Sequence, residues 1–128
     1  MSIDWVEDVL DFHCAMDALR HVGSMPMVPS ASLVQLKLGL VAEEYQELGD
    51  AIEAKDVVAV ADACADLIYV VIGLALAYGV DLRPVWQAVQ RSNMAKLGGP
   101  VREDGKRLKP DGWAPPDIAG VLAEQGSL

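Results

Sequence analysis

The chain has 128 residues, of which 52% are hydrophobic and 23% are charged, and its formal net charge at pH 7 is −9. This length and composition favour one globular domain with its own core and exclude a disordered chain. The acidic balance disfavours a general nucleic-acid-binding protein, which is normally basic, so we expect no nucleic-acid partner. We expect Cys14 and Cys64 to be small buried residues of a reducing, cytoplasmic compartment.

Helical periodicity dominates the sequence, and no segment indicates a β-strand. The first helix is predicted to begin after Asp4 and to continue along apolar positions to Leu19. A loop with two prolines follows at residues 23–29. A second helix, capped by a serine, is predicted to end near Lys55, and its apolar residues cover more than one face.

The third predicted helix begins after an aspartate cap, runs over residues 57–78 and ends at Gly79. This helix is apolar nearly all round, so we expect it to be central in the fold. A fourth helix is predicted to begin after Asp81 and to end at the glycine pair 98–99. The remaining tail is rich in basic residues, glycine and proline, and a short helix closes it.

The predicted fold is an all-α antiparallel four-helix bundle within a single domain, residues 1–128. The bundle occupies residues 1–97, and residues 98–128 form the basic loop and short helix. Because two helices have apolar arcs wider than one neighbour can cover, we expect homo-oligomerisation to complete the bundle. The 14-residue apolar run Leu67–Val80 is too short for a bilayer, and the acidic N-terminus does not resemble a signal peptide. We therefore expect no membrane association.

Two helices carry carboxylates into surfaces that the periodicity predicts to be packed. On the second helix Glu43, Glu44 and Glu47 lie within an arc of about 100°, and on the third Asp62 and Asp66 share a face. An unpaired buried carboxylate costs on the order of several kcal/mol, and a bound hard cation is the simplest compensation. We predict that these five residues hold Mg²⁺, for which Mn²⁺ can substitute. An acidic face without a metal is the alternative.

Six of the ten basic residues occur in one late segment, which complements an acidic metal site if the ligand carries phosphate. Asn93 and Lys96 are three residues apart on a helix and point the same way. The candidate substrate-binding residues are these two together with Arg102, Lys106 and Lys109 of the tail, and Phe12 and His13 beside the proline loop. The alternatives are a solvated basic loop and a lysine favoured only by the helix dipole.

The spacing of these groups allows metal-assisted attack of water on a phosphorus centre, with a spare carboxylate as the base. No histidine lies among the carboxylates, which disfavours zinc and iron. The sequence has neither a P-loop nor a serine in the context of a nucleophile elbow.

Four segments, in this order, resemble the all-α nucleoside triphosphate pyrophosphohydrolases. They are L-x-x-E-E-x-x-E-L (Leu40–Leu48), D-x-x-x-D-L-x-Y-V (Asp62–Val70), S-N-M-x-K (Ser92–Lys96) and D-G-K-x-L-K-P-x-G-W-x-P-x-D-I (Asp104–Ile118). This superfamily includes the MazG-like enzymes, the dimeric dUTPases and phosphoribosyl-ATP pyrophosphohydrolase. The tail is similar to that of small MazG-like members.

The resemblance implies a helical bundle that forms a dimer or a pair of dimers. It implies Mg²⁺-dependent hydrolysis of the α–β phosphate bond of a (deoxy)nucleoside triphosphate to a monophosphate and pyrophosphate. The role that goes with this activity is house-cleaning of the nucleotide pool. Phosphoribosyl-ATP hydrolysis and a non-catalytic acidic binding module are the alternatives.

The resemblance also implies roles for individual residues. Glu44, Glu47 and Asp66 would be metal ligands, and Glu43 would bind a second ion or act as the base, so the two adjacent glutamates are the candidate catalytic residues. Many members carry a glutamate three residues before the second-motif aspartate, where this sequence has Ala63. Asp62 is the candidate replacement.

Overall fold

The fold is all-helical, as the sequence predicts. A computed structural model describes residues 2–126. Its α-helices are α1 (Trp5–Ala15), α2 (Ala31–Glu53), α3 (Val57–Ala77), α4 (Leu82–Met94) and α5 (Ile118–Ala123), and 3₁₀ turns occupy Leu19–His21 and Ala95–Gly98. Within these residues the pairing of extended chain is limited to one isolated bridge, between Val101 and Arg107.

Each α-helix begins after a side chain that accepts a hydrogen bond from the backbone of the first turn. The capping residues are Asp4, Ser30, Asp56, Asp81 and Asp117. These caps satisfy N–H groups that have no partner within the helix, which fixes where each helix starts.

The first helix is shorter than the sequence predicts. It ends at Ala15 instead of Leu19, because Asp17 adopts a positive φ of 53° and reverses the chain. Arg20 donates a hydrogen bond to the carbonyl of Asp17 at 2.9 Å and holds the reversal, so His21 lies in a 3₁₀ turn and not in α1. The apolar spacing that suggested a longer helix is carried by Met16 and Leu19, and both side chains are exposed.

The central packing unit is the antiparallel pair α2 and α3, which a short turn connects. The α1 helix packs across α3, and the core between them is formed by Val6, Val9, Ile72 and Leu76. Burial of a side chain of this size contributes roughly 1.5–3 kcal/mol. The core of one chain is therefore small for its length.

The fourth helix joins this unit at its N-terminal end. Leu82 packs against the core, and the Arg83 guanidinium pairs with Asp4 at 2.8 Å and with Asp81 at 2.9 Å. The helix α5 packs against α4, where the side-chain amide of Gln125 bonds both backbone groups of Asp81 at 2.9 Å. The end of the chain is thereby tied to the start of α4.

Much apolar surface stays exposed in the single chain, α3 included. Val57 and Val58 are 80% and 75% exposed, and Trp86 on α4 is 71% exposed. Cys14 and Cys64 are also exposed, so the prediction of two buried cysteines is wrong for the single chain.

The helix α3 is longer than the apolar run that the sequence showed. Among the described helices it alone has the length and composition that could cross a membrane, a test that the core helix of a soluble protein also passes. Asp62 and Asp66 interrupt it near its middle. Charges at that position are unfavourable in a lone membrane span.

Candidate metal centre

Three carboxylates meet where α2 faces α3. Glu44 and Glu47 lie one turn apart on α2, Asp66 faces them from α3, and one oxygen of each lies within 4.8 Å of the others. Ala51 and Ala63 are buried, and such small side chains let the two helices approach closely. The helix pairing therefore forces three negative charges into one small volume.

The position of Glu44 shows that a cation would fit here. Its Oε2 atom is buried and receives no hydrogen bond from the described residues. Desolvation, followed by the charges of Glu47 and Asp66, raises the pKa of the Glu44 carboxyl. Hard divalent cations prefer oxygen ligands, so these three residues offer the donor set for such an ion.

Glu43 and Asp62 lie outside this group of three. Both side chains are exposed, although the charge of Glu43 contributes to the raised pKa of Glu44. Ala63 is 5% exposed, and Asp62 precedes it by one helical step of about 100°, which turns its carboxylate away from the buried side. The structure therefore does not bring Asp62 to the position where many superfamily members carry a glutamate.

His13 belongs to the interior of the fold. Its Nδ1–H donates to the Val9 carbonyl at 2.9 Å, so its Nε2 accepts from the Lys37 ammonium at 3.1 Å. Both side chains are buried, at 7% and 6% exposed, and desolvation lowers the pKa of Lys37. Sequence reasoning did not select Lys37, although it lies seven residues before Glu44 and thus on the same face of α2.

Phe12 is half exposed and does not line a described cavity. Its ring meets that of Tyr69 edge to face, with 5.8 Å between centroids. A cavity of about 400 Å³ lies nearby between α1 and α3, with Trp5, Asp8 and Tyr69 in its wall. Phe12 and His13, which the sequence suggested as pocket residues, therefore do not line this cavity. Other side chains of α1 and α3 line it instead.

The basic tail is an ordered hairpin. The Leu108 amide donates to the Pro100 carbonyl at 2.7 Å, and the Arg107 guanidinium donates to the Gly99 carbonyl at 2.8 Å. A Cβ at position 99 would overlap the Leu108 carbonyl, so the close approach requires glycine there. The sequence predicted a loop for this segment, and the structure shows a hydrogen-bonded turn there.

The predicted phosphate-binding residues are divided between two places. Lys96 donates to the Asn93 side-chain oxygen at 3.1 Å, and Lys96 and Lys109 both lie over the ring of Trp113. Arg102 pairs instead with Asp104 in the turn, and Lys106 is exposed. Trp113 was not selected from the sequence; the signal was a tryptophan within a glycine-, proline- and lysine-rich segment.

The structure defines an all-helical protein with three carboxylates clustered between two antiparallel helices, a donor set that suits a divalent cation. The family model for phosphoribosyl-ATP pyrophosphohydrolase matches residues 9–93, which include α1 from Val9 onwards, α2, α3 and nearly all of α4. The chain belongs to this family, within the superfamily that also contains the MazG-like proteins. The resemblance found in the sequence is confirmed, and the family supports nucleotide pyrophosphohydrolase activity.

A curated relative covers a smaller part of the chain. An uncharacterized protein of Acanthamoeba polyphaga mimivirus is 41% identical over 49 residues, which are 38% of this chain and 20% of the viral protein. The chain thus spans about a fifth of the length of that relative.

Proposed function

We propose that this protein is a Mg²⁺-dependent (deoxy)nucleoside triphosphate pyrophosphohydrolase that yields a nucleoside monophosphate and pyrophosphate. The observation that carries the proposal is the cluster of Glu44, Glu47 and Asp66, in which a buried carboxylate oxygen has no hydrogen-bond partner among residues 2–126. A divalent cation bound there would neutralise phosphate charge and lower the pKa of a coordinated water.

In this proposal different residues bind the metal ion, accept the proton and contact the substrate. Glu44, Glu47 and Asp66 would hold the cation, and exposed Glu43, at the adjacent position of α2, takes a proton from the attacking water. The water oxygen bonds to the α-phosphorus, the bridging α–β oxygen leaves with pyrophosphate, and the proton passes to Glu43. Asn93 and Lys96 contact the phosphates or the sugar.

A second candidate substrate is phosphoribosyl-ATP, because the family model that matches two thirds of the chain carries that description. The bond broken and the groups that break it would be the same. The cavity beside Trp5 and Tyr69 offers aromatic surface for a base, but aromatic surface does not distinguish these substrates.

We also propose that copies of the chain associate, as a dimer or as a pair of dimers. The support is the exposed apolar surface on α2, α3 and α4, carried by residues such as Leu38, Val58 and Trp86. A second copy would enclose α3, which the sequence predicts to be central, and we keep the expectation that neither a membrane nor a nucleic-acid polymer covers it.

The first test is a panel of common NTPs and dNTPs, dUTP included, together with phosphoribosyl-ATP, each incubated with Mg²⁺ and with EDTA. Ion-exchange chromatography should show monophosphate and pyrophosphate only when metal is present. Glu47→Ala and Asp66→Ala should abolish turnover while circular dichroism shows an intact helical fold. Release of orthophosphate and a diphosphate would contradict the proposed bond, and lack of any product would favour a non-catalytic binding module.

A further inference from the structure

The cavity between α1 and α3 lies on a different side of α3 from the carboxylate cluster. Four of the α3 residues that line it follow one face of the helix, namely Ala61, Ala65, Ile68 and Ile72. Asp66 is turned by at least about 100° from each of them around the helix axis, because it faces α2. The cavity is therefore separate from the cluster of the same chain.

The cavity has a buried apolar floor and an exposed edge of aromatic and acidic side chains. Val9 is fully buried at the floor, whereas Trp5 and Asp8 of α1 are exposed beside it. The Tyr69 ring in the wall packs edge to face against Phe12, with 5.8 Å between centroids. The volume of about 400 Å³ falls within the range of about 300–1,000 Å³ that is typical of small-molecule sites. These walls therefore fit a ligand with a small aromatic or alkyl body.

The charges around the cavity favour a cation. Desolvation, followed by the charges of Asp8 and Asp11, raises the pKa of the Tyr69 hydroxyl, so both carboxylates act on this wall. Neither α1 nor α3 carries a lysine or an arginine. Among residues 2–126 the ion pairs are formed by Arg83 and Arg102, and neither pairs with these two carboxylates. The negative charge beside the cavity is thus left for a ligand to compensate.

The kind of cation follows from the side chains in the wall. The faces of tryptophan and tyrosine rings attract cations, and Trp5 and Tyr69 both line the cavity. A hard metal ion would require several oxygen ligands, whereas the wall offers the single carboxylate of Asp8 among apolar and aromatic groups. An organic ammonium ion satisfies both conditions, since its charge can pair with the carboxylate while its body contacts the rings.

We propose that the cavity between α1 and α3 binds a small organic cation, an ammonium group attached to an aromatic or short alkyl body. Asp8 pairs with the ammonium group, and Trp5 and Tyr69 contact the body and the charge. This site requires neither the metal ion nor the reaction proposed above.

The first test is isothermal titration of the full chain with benzylamine, which is a cation at pH 7, and with benzyl alcohol as a neutral ligand of similar shape. Benzylamine should bind at least about fivefold more tightly than benzyl alcohol. Equal affinities would overturn the cation site and leave an apolar cavity that any aromatic ring, a base included, can enter. Absence of benzylamine binding would also overturn it and leave the cavity to a second copy of the chain.

A matched pair of substitutions on α1 tests the carboxylate. Asp8→Asn should weaken benzylamine binding at least about fivefold, because it removes the charge in the wall. Glu7→Gln removes one negative charge at the adjacent exposed position outside the wall, and it should change binding less than about twofold. Equal losses in the two variants would show attraction to the acidic protein as a whole and would overturn the site.

The tryptophan is tested by Trp5→Leu, which keeps an apolar side chain and removes the ring. This substitution should weaken the binding of benzylamine more than that of benzyl alcohol, because only the cation gains from the ring face. Equal weakening of the two ligands would overturn the cation–π contact. If circular dichroism shows that Trp5→Leu does not fold, Asp8→Asn decides, because that side chain is exposed.

The two cysteines report where the ligand binds. Both are exposed, but Cys64 lines the cavity and Cys14 does not. Benzylamine should slow the modification of Cys64 by methyl methanethiosulfonate, a reagent that modifies thiols and not amines, and should leave the rate at Cys14 unchanged. Mass spectrometry of peptides measures both rates. Protection of neither cysteine, or equal protection of both, would place the ligand outside the cavity and overturn the proposal.

Discussion

At the scale of single residues, Glu44 is both a partly desolvated carboxylate and a proposed ligand of the metal ion. A carboxylate that loses water beside two other acids destabilises its charged form, which is why its pKa is raised. A group with a raised folded pKa of this kind stabilises the fold only while it is protonated, so the metal-free protein loses stability as pH rises through that pKa. A bound cation would reverse this loss.

We therefore predict opposite effects of Glu44→Gln with and without metal. In EDTA at neutral pH the substitution should raise the melting temperature, because it removes a half-buried charge that faces two other carboxylates. With Mg²⁺ or Mn²⁺ it should abolish the metal-dependent rise and weaken binding by at least about tenfold, since a ligand is lost. Thermal melts of both proteins check this, and the same metal-dependent rise in the variant would contradict the assignment.

The same reasoning predicts the pH dependence of metal binding. Protons compete with the cation for carboxylate oxygens, and the raised pKa of Glu44 brings that competition to a higher pH than an ordinary glutamate would. The Mg²⁺-dependent rise in melting temperature should shrink as pH falls towards and below this pKa. A rise that stays constant down to pH 4 would show that the ion binds elsewhere.

A second prediction at this scale concerns Lys37. Its folded pKa is lowered by burial, so between that value and 10.5 the unfolded chain binds more protons, and the free energy of unfolding should increase with pH. For one proton the slope is at most about 1.4 kcal/mol per pH unit. Urea unfolding at several alkaline pH values should show this gain in the wild type and not in Lys37→Met. Exposed Lys55→Met is the control, and a Lys37→Met profile parallel to the wild type would contradict the linkage.

At the scale of elements, the end of α3 fixes the direction of the chain towards α4. Gly79 has a φ of +69°, the Val80 amide closes the turn on the Ala75 carbonyl at 3.0 Å, and a Cβ on Gly79 would overlap the carbonyl of Met25. The helix terminus and the proline loop therefore share one close contact, which only glycine permits.

We predict that Gly79→Ala destabilises the protein by more than about 1 kcal/mol, because strain at positive φ and the clash at Met25 act together. Gly39→Ala, on α2, meets no atom within 4 Å and should stabilise by up to about 1 kcal/mol. Chemical unfolding of both variants provides the comparison. Equal effects of the two substitutions would refute the close approach.

At the scale of the whole molecule, the exposed apolar faces indicate that one chain holds only part of a core. The buried residues of the single chain are few, whereas residues such as Val57, Ile52 and Trp86 remain more than half exposed. Because a large exposed apolar area is unfavourable in water, we expect part of it to be covered by another copy of the chain.

We predict that light scattering will give a multiple of the 13.7 kDa chain mass, twofold or fourfold. Because association stabilises only the folded state, the melting temperature should rise with protein concentration. A monomer mass, with a melting temperature that does not depend on concentration, would contradict the proposed oligomer.

The sequence predicted the helical class and the helix starts, because caps and periodicity are local properties that a single chain displays. It missed the early end of α1, since the reversal at Asp17 leaves no mark in the apolar spacing. It did not identify Lys37 or Trp113, because their partners come from other elements. It also did not predict that Asp62 lies outside the cluster, because spacing along α3 does not show which side of that helix faces α2.

Glu44 and Asp66 lie on consecutive helices, α2 and α3, and this short separation along the chain affects how the protein folds. All three clustered carboxylates belong to a single helical hairpin, so closing the loop between them costs little entropy. We expect such contacts to form early in folding, because contacts of short sequence separation cost the least loop-closure entropy. The carboxylate cluster is thus contained in one helical hairpin, so substitutions in the remaining helices can change what the protein binds while the cluster stays intact.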